Sequence, residues 1–415
     1  MSFSKNKAAV FAFSAFILLS SAGFVSCSRT ESIASVGEND LFDLNYGNFE
    51  DELNLFDLAV PGNIDTYMTM RDGFFYIANG ESKKVLELNS YGDLLSLFYN
   101  PESMRNLEFA DANAENSTKK AVSYPFNTLG PIAVDSEKSL YVVDSLPVER
   151  QELDSKRRLL LRNVVLRFDV NGKFVDYIGQ QGPGGTPFPP VKNIYTTSNN
   201  ELVVVCLTND GFEVFWFAQN GFLLYQVPVT EKSLPNLDGK DGNNKNVVYS
   251  HLSIDNVVPD MNMYKLYLKV DCYSNSIDAD LRVQSGIDFA KTVLLPFEIV
   301  ENKFGEAFEI PAYEYVVAEG MGQEVYEIPY SFLGVSESGW FFFIVSTEDG
   351  YLVQMVQGDG QHILKRNISV KYDDVLFHSL SLSSSGIICA LFARKEHASV
   401  SWWRTDSLLD SFISN

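Results

Sequence analysis

Ile64–Phe98, IDTYMTMRDGFFYIANGESKKVLELNSYGDLLSLF, is the stretch whose reading decides the fold. It divides into four short runs: Ile64–Met70, Phe74–Ala78, Lys84–Asn89 and Asp93–Phe98. The segments between them, Arg71-Asp72-Gly73, Asn79–Lys83 and Ser90-Tyr91-Gly92, are rich in residues that turn a chain. A four-stranded meander of this size cannot bury both of its faces alone, so copies of it must stack radially or linearly. The pattern predicts one blade of a β-propeller.

Degenerate copies follow along the chain. Aligning their second strands places Tyr76, Tyr141, Val203, Tyr267, Phe341 and Ile388 in equivalent positions, at steps of 65, 62, 64, 74 and 47 residues. These steps exceed the ~40–50 residues of ordinary propeller blades, so the repeats must carry long loops. The expected fold is all-β: a six-bladed β-propeller of four-stranded antiparallel blades, preceded by a signal peptide and a flexible tether. The expected boundaries are 1–26 for the signal peptide, 27–52 for an acidic tether and 53–415 for the propeller. The last copy ends early, and a spare apolar strand near Leu53–Leu58 is the expected partner that closes the ring and removes its exposed edge.

The front of the chain has the layout of a targeting segment. Lys5 and Lys7 precede the apolar run Ala8–Leu19, and Ser20-Ser21-Ala22-Gly23 leads to Phe24-Val25-Ser26-Cys27. Those last four residues resemble a bacterial lipobox, with Phe24 where Leu is usual and Ser26 where Gly or Ala is usual. The resemblance implies a lipid on Cys27 and a body held at a membrane of the bacterial cell envelope, on the periplasmic side of the inner or outer membrane or at the surface. Ordinary signal-peptide cleavage and an uncleaved anchor are the alternatives.

With 32 Lys and Arg against 54 Asp and Glu, the formal net charge is −22. Such a balance disfavours nucleic acid and anionic lipid as primary partners, because both require positive surface. Beyond Cys27, the three cysteines Cys206, Cys272 and Cys389 each fall in a different copy, which argues for buried single thiols rather than a disulfide framework. The four histidines show no metal-ligand spacing, and no cofactor is expected.

In an up-and-down blade, alternate connections emerge on alternate faces. The turns expected on one face are all short. Nearly every long segment falls on the other: 99–130, 145–163, 179–192, 230–249, 273–291 and 311–330. One-sided elaboration points to a functional face. Three of its loops carry candidate contacts. Ser145–Asn163 gathers Arg150, Lys156, Arg157, Arg158 and Arg162, either to dock an acidic partner or as a solvated helical turn. Gln180–Pro190 offers Phe188 at the mouth or serves as a rigid link. Tyr313–Tyr326 presents Tyr313 and Tyr315 among carboxylates, as a binding lip or as a hairpin covering the fourth blade.

Arg71–Asn79, Val85–Gly92, Glu137–Asp144 and Val165–Gly172 resemble NHL-type propeller repeats: a turn, an aromatic-rich second strand ended by Asp or Asn, then a valine-led third strand. In that pattern Asn79 and Asp144 are structural. The relaxed lipobox, Met70–Gly73, Asn89–Leu97 and Gly184–Pro189 together resemble a group of spirochaetal propeller lipoproteins of unassigned activity. These resemblances specify a fold better than a function.

The leading expectation is a monomeric, lipid-anchored, non-catalytic scaffold that binds a protein or peptide in the envelope through its loop-rich face. The first alternative is a hydrolase or lyase resembling calcium-dependent six-bladed lactonases, with Asp135, Asp255 and Asn193 approaching the channel. The second is a carbohydrate or small-ligand receptor using Trp216, Trp340, Trp402 and Trp403. No catalytic residue is identified.

Overall fold

The structure is a computed structural model, described for residues 33–37, 39–55, 65–104, 119–240, 246–277, 283–319, 322–358, 360–372 and 374–413. The signal peptide and Cys27 lie outside the described residues. The main body runs from Ser35 onwards.

Six antiparallel sheets form the blades. The first is Thr66–Arg71, Phe74–Asn79, Lys84–Leu88 and Leu94–Tyr99, nearly as read from sequence, with Lys120–Ser123 added in parallel on its outer edge. The second is Leu129–Val134, Leu140–Ser145, Asn163–Phe168 and Phe174–Gly179. The third is Val191–Thr196, Leu202–Thr208, Gly211–Phe217 and Leu223–Thr230. The fourth is His251–Pro259, Lys265–Ile277 and Gln284–Glu298, completed on its outer edge by the short pieces Lys303–Phe304 and Phe308–Ile310. The fifth is Ser331–Val335, Trp340–Thr347, Gly350–Gln357 and Ile363–Ser369. The sixth is Phe377–Leu382, Ile388–Ala393 and His397–Trp403, with Asn39–Asn45 as its outermost strand.

That last pairing closes the ring, and it corrects two expectations. The closing strand is Asn39–Asn45, not Leu53–Leu58, so part of the expected 27–52 tether belongs to the propeller. Leu53 and Leu55 are buried between blades six and one instead, where the apolar side chains fill space without extending a sheet. A short helix, Thr405–Ile413, follows the sixth blade.

The runs Leu202–Cys206 (LVVVC) and Trp340–Val345 (WFFFIV) are apolar without alternation because both faces of each blade are covered. Successive side chains on a strand point to opposite faces. Val203 and Val205 therefore pack toward blade four, while Val204 and Cys206 pack toward blade two. Likewise Phe341 and Phe343 meet blade four, and Trp340, Phe342 and Ile344 meet blade six. Among the described residues, six such cores lie one at each blade-to-blade junction. Trp216, Trp340 and Trp403 are essentially inaccessible parts of them, and Trp402 packs on Phe75, so the tryptophans serve the core rather than a stacking surface.

Turns between first and second strands repeat one device. Asp135 Oδ1 accepts from the backbone N–H groups of Glu137 and Ser139, and Asp260 Oδ1 from those of Asn262 and Met263. The hydroxyl oxygens of Thr197, Ser336 and Ser383 take the same place in their own turns. Neighbouring turns are stitched together: Ser136 donates to Asn200 Oδ1, Ser198 N–H to the Met261 carbonyl, Asn262 Nδ2 to the Glu337 carbonyl, and Glu337 N–H to the Ser384 carbonyl. The short-turn face is thus a bonded rim.

Candidate functional site

The opposite face carries the long excursions, as the alternation of connections requires. Asn79 and Asp144, at the ends of second strands, tie the incoming links down there. Asn79 Nδ2 donates to the Asn54 carbonyl at 2.7 Å and its Oδ1 accepts from Asn54 N–H at 3.0 Å. Asp144 accepts from the N–H groups of Asn127 and Thr128, at 3.1 and 2.7 Å. Burial pushes the Asp144 carboxyl up to about 6, against the lowering effect of those bonds. Both residues hold structure together.

The basic excursion of blade two is one exposed 3-10 helical turn, Val148–Arg150, followed by a hairpin of Glu152–Asp154 and Leu159–Leu161 whose turn carries Lys156, Arg157 and Arg158. Arg150, Lys156, Arg157, Arg158 and Arg162 are all exposed. Arg157 is nonetheless engaged, with Nη1 2.7 Å from Glu213 Oε2 of blade three. Asn209 Nδ2 also donates to the Arg157 carbonyl at 2.9 Å, so the hairpin is strapped across two blades. Arg150 lines a cleft with Gln151, Tyr177 and Pro187.

Phe188 is not at the mouth. It is wholly buried between blades two and three, edge-on to Phe215 at 5.1 Å and to Phe217 at 6.0 Å. Its N–H donates to the Asn163 carbonyl, and its own carbonyl accepts from Arg162 and Asn163 N–H. With prolines on both sides fixing an extended backbone, those bonds turn the ring inward. The segment is a rigid link.

Tyr313 and Tyr315 sit on a hairpin of Tyr313–Glu319 and Gly322–Ile328 that belongs to no blade. Tyr313 is half-buried against Tyr330. The Tyr315 hydroxyl donates to Glu348 of blade five at 3.2 Å, while Tyr313 packs on the core shared by blades four and five. Tyr315 lies opposite Tyr326, and Val316 opposite Val325. Pairs on successive positions point to opposite faces, and both are solvent-exposed: Val316 50%, Val325 56% and Tyr326 51%.

The stretch 273–291, expected as a loop, is largely sheet: the second and third strands of blade four continue through Tyr273–Ile277 and Gln284–Lys291, leaving Ile287 exposed.

Inner strands from all six blades surround a central cavity of about 330 Å³. Four of them carry a register shift: at Leu129/Ile132, Val191/Asn193, Ile254/Asn256 and Phe332/Gly334. Such bulges re-aim side chains. They do not gather calcium ligands. Asp135 is consumed by its turn and by the Tyr141 hydroxyl, Asn193 bonds the N–H of Ile194 and the Tyr195 hydroxyl, and Asp255 pairs with Lys269 at 3.0 Å. No group of three or more His, Cys, Asp or Glu placed to hold an ion occurs among the described residues. The donor set does not fit calcium.

No protein-family model matches this chain, and no curated protein does. Solved structures do. The polysaccharide lyase Uly1 aligns over 89% of this chain and 99% of its own at 9% identity, with a TM-score of 0.40. The propeller domain of the Trilobed protease from Pyrococcus furiosus aligns over 82% and 95% at 9% identity, TM-score 0.41. The gluconolactonase XC5397 from Xanthomonas campestris aligns over 79% and 82% at 10% identity, TM-score 0.35. At these values the likeness transfers no activity. The strand order of the chain itself carries the conclusion: it is an all-β, six-bladed β-propeller closed by its N-terminal strand.

Proposed function

We propose that the protein is a lipid-anchored envelope scaffold, attached through Cys27, that binds a protein or peptide partner on its loop-rich face without catalysis. The observation that carries this reading is the hairpin Tyr313–Glu319/Gly322–Ile328, which stands outside every blade with apolar side chains exposed on both of its faces. A two-stranded hairpin is marginal by itself and gains from a covering surface. Exposed Arg150, Lys156, Arg158 and Arg162 on the same face add a positive rim within an acidic protein, suited to a partner with carboxylates.

The test is gentle crosslinking in native envelopes, comparing the full chain with a variant in which residues 313–328 are replaced by a short Gly-Ser link. A defined partner recovered with the full chain and lost from the variant, at unchanged melting temperature, is the expected result. Recovery of the same partner with both chains would remove the hairpin from the contact. Recovery of the chain alone would sink the scaffold reading. Mass spectrometry of the mature N-terminus tests the lipid on Cys27 separately.

A further inference from the structure

We propose that the central cavity is a binding site for a small organic carboxylate, held at the short-turn end by Arg71 and Ser381. Its volume, about 330 Å³, is within the range of small-ligand sites. Although the chain has 54 acidic and 32 basic residues, the cavity lining contains no Asp or Glu and two cations, Arg71 and Lys192. Lys192 is already engaged: its ammonium donates to the Asp255 carbonyl at 2.5 Å and lies over the Phe212 ring.

Arg71 is different. It is the last residue of its inner strand, and its side chain is 12% exposed. Its Nε is buried and has no hydrogen-bond partner. The nearby carboxylates stand off, Asp72 at 3.8 Å and Glu337 at 3.7 Å, and both open outward, at 64% and 41% exposure. On the adjoining inner strand Ser381 Oγ is also buried without a partner, and it too lines the cavity. Ser381 and Arg71 sit near the same end of neighbouring strands, and both residues line the cavity at that level. Buried polar groups are ordinarily bonded, Arg71 Nε is not, and a guanidinium edge matches a planar carboxylate in bidentate geometry. Leu333, Leu380 and Ile132 supply apolar wall for the rest of the ligand. This inference is independent of the scaffold reading, since the hairpin takes no part in it.

The test is calorimetric titration of the full chain with three probes, acetate, pyruvate and benzoate, with benzamide as the neutral isostere of benzoate. At least one carboxylate should saturate at millimolar concentration or below, with benzamide weaker by roughly tenfold or more, as expected for loss of charge-assisted bonds. Arg71→Met should weaken that carboxylate by roughly tenfold or more, and Ser381→Ala by a smaller factor. Glu337→Gln, at an exposed side chain whose backbone alone holds the rim, should tighten it by removing a competitor for Arg71, which keeps the test decisive if Arg71→Met fails to fold. Three outcomes overturn the proposal: no saturable binding by any carboxylate up to about 50 mM, equal binding of benzoate and benzamide, or affinities unchanged in Ser381→Ala and Glu337→Gln. A cavity that holds only water gives the first.

Discussion

Arg157 of the blade-two hairpin and Glu213 of blade three form a 2.7 Å ion pair in which the arginine is half-exposed and the glutamate almost completely buried. Glu213 keeps one further bond, from Gln226 Nε2 at 2.6 Å. Removing Arg157 therefore leaves a buried carboxylate underpaired, a cost tempered by solvent at the arginine end. Arg157→Ala should lower unfolding free energy by about 1 kcal/mol. Glu213→Gln should cost less, and the double variant should show the two effects to be non-additive. Urea titration of the four proteins measures this; strict additivity would mean that the pair contributes nothing and that the hairpin is held by Asn209 alone.

How far the molecule could be read from its letters depends on whether a feature is periodic. Unbroken runs such as WFFFIV, ended by Gly-containing turns, announce strands covered on both faces, and from these the blade count follows. The closing strand was not legible, because Asn39–Asn45 (NDLFDLN) is short and acidic and is specified by backbone pairing with His397–Trp403. Leu53–Leu58 is more apolar and drew the expectation instead. Phe188 misled for the opposite reason: proline-rich composition reads as surface, yet the bonds to Arg162 and Asn163 fold its ring inward. Arg71 could be placed at a strand end, but its unmet Nε exists only once six inner strands enclose a cavity.

Asp144 gives the propeller a pH dependence of definite sign. Its folded-state value is raised from 3.8 to about 6, with burial as the first cause. Between those two values the folded state binds the proton that the unfolded state has released. Stability should therefore fall as pH rises through that window, by up to about 3 kcal/mol, and then remain level. Asp144→Asn retains an oxygen for the N–H groups of Asn127 and Thr128 and cannot ionise, so it should flatten this part of the curve. Asp144→Ala removes the acceptor of the half-buried Asn127 and exposed Thr128 N–H groups and should cost about 1 kcal/mol throughout. Denaturant midpoints across the window decide; an Asn variant with the parental slope would assign the dependence elsewhere.

Cys206, Cys272 and Cys389 are free and buried. Burial raises all three thiols, Cys272 to about 11 and Cys206 and Cys389 well above their ordinary value, so the thiolate is scarce at neutral pH. None should react with a water-soluble disulfide reagent in the folded protein. Unfolding should release these three at once, together with Cys27 if that residue carries no lipid. Stoichiometric titration in denaturant thus reports on both the core and the anchor. Rapid labelling of Cys206 without denaturant would contradict the packing between blades two and three.

The ring's closure should be its most sensitive joint. Asn39–Asn45 covers the edge of His397–Trp403, with Phe42 opposite Val400 and Leu44 opposite Ala398. It also contributes to the core between blades six and one, where Leu44 is 4% exposed and Phe42 meets Phe75 edge-on at 5.6 Å. Leu44→Ala removes buried volume but leaves the backbone pairing, and should cost about 2–4 kcal/mol while the protein stays monomeric. Deleting residues 33–45 removes both, exposing a strand edge that invites pairing with another chain. The truncated protein should therefore unfold at lower urea and self-associate with rising concentration, as read by light scattering. If it stays monomeric with an unchanged midpoint, the six blades hold together through their side-chain cores alone, and the closing strand contributes nothing to stability.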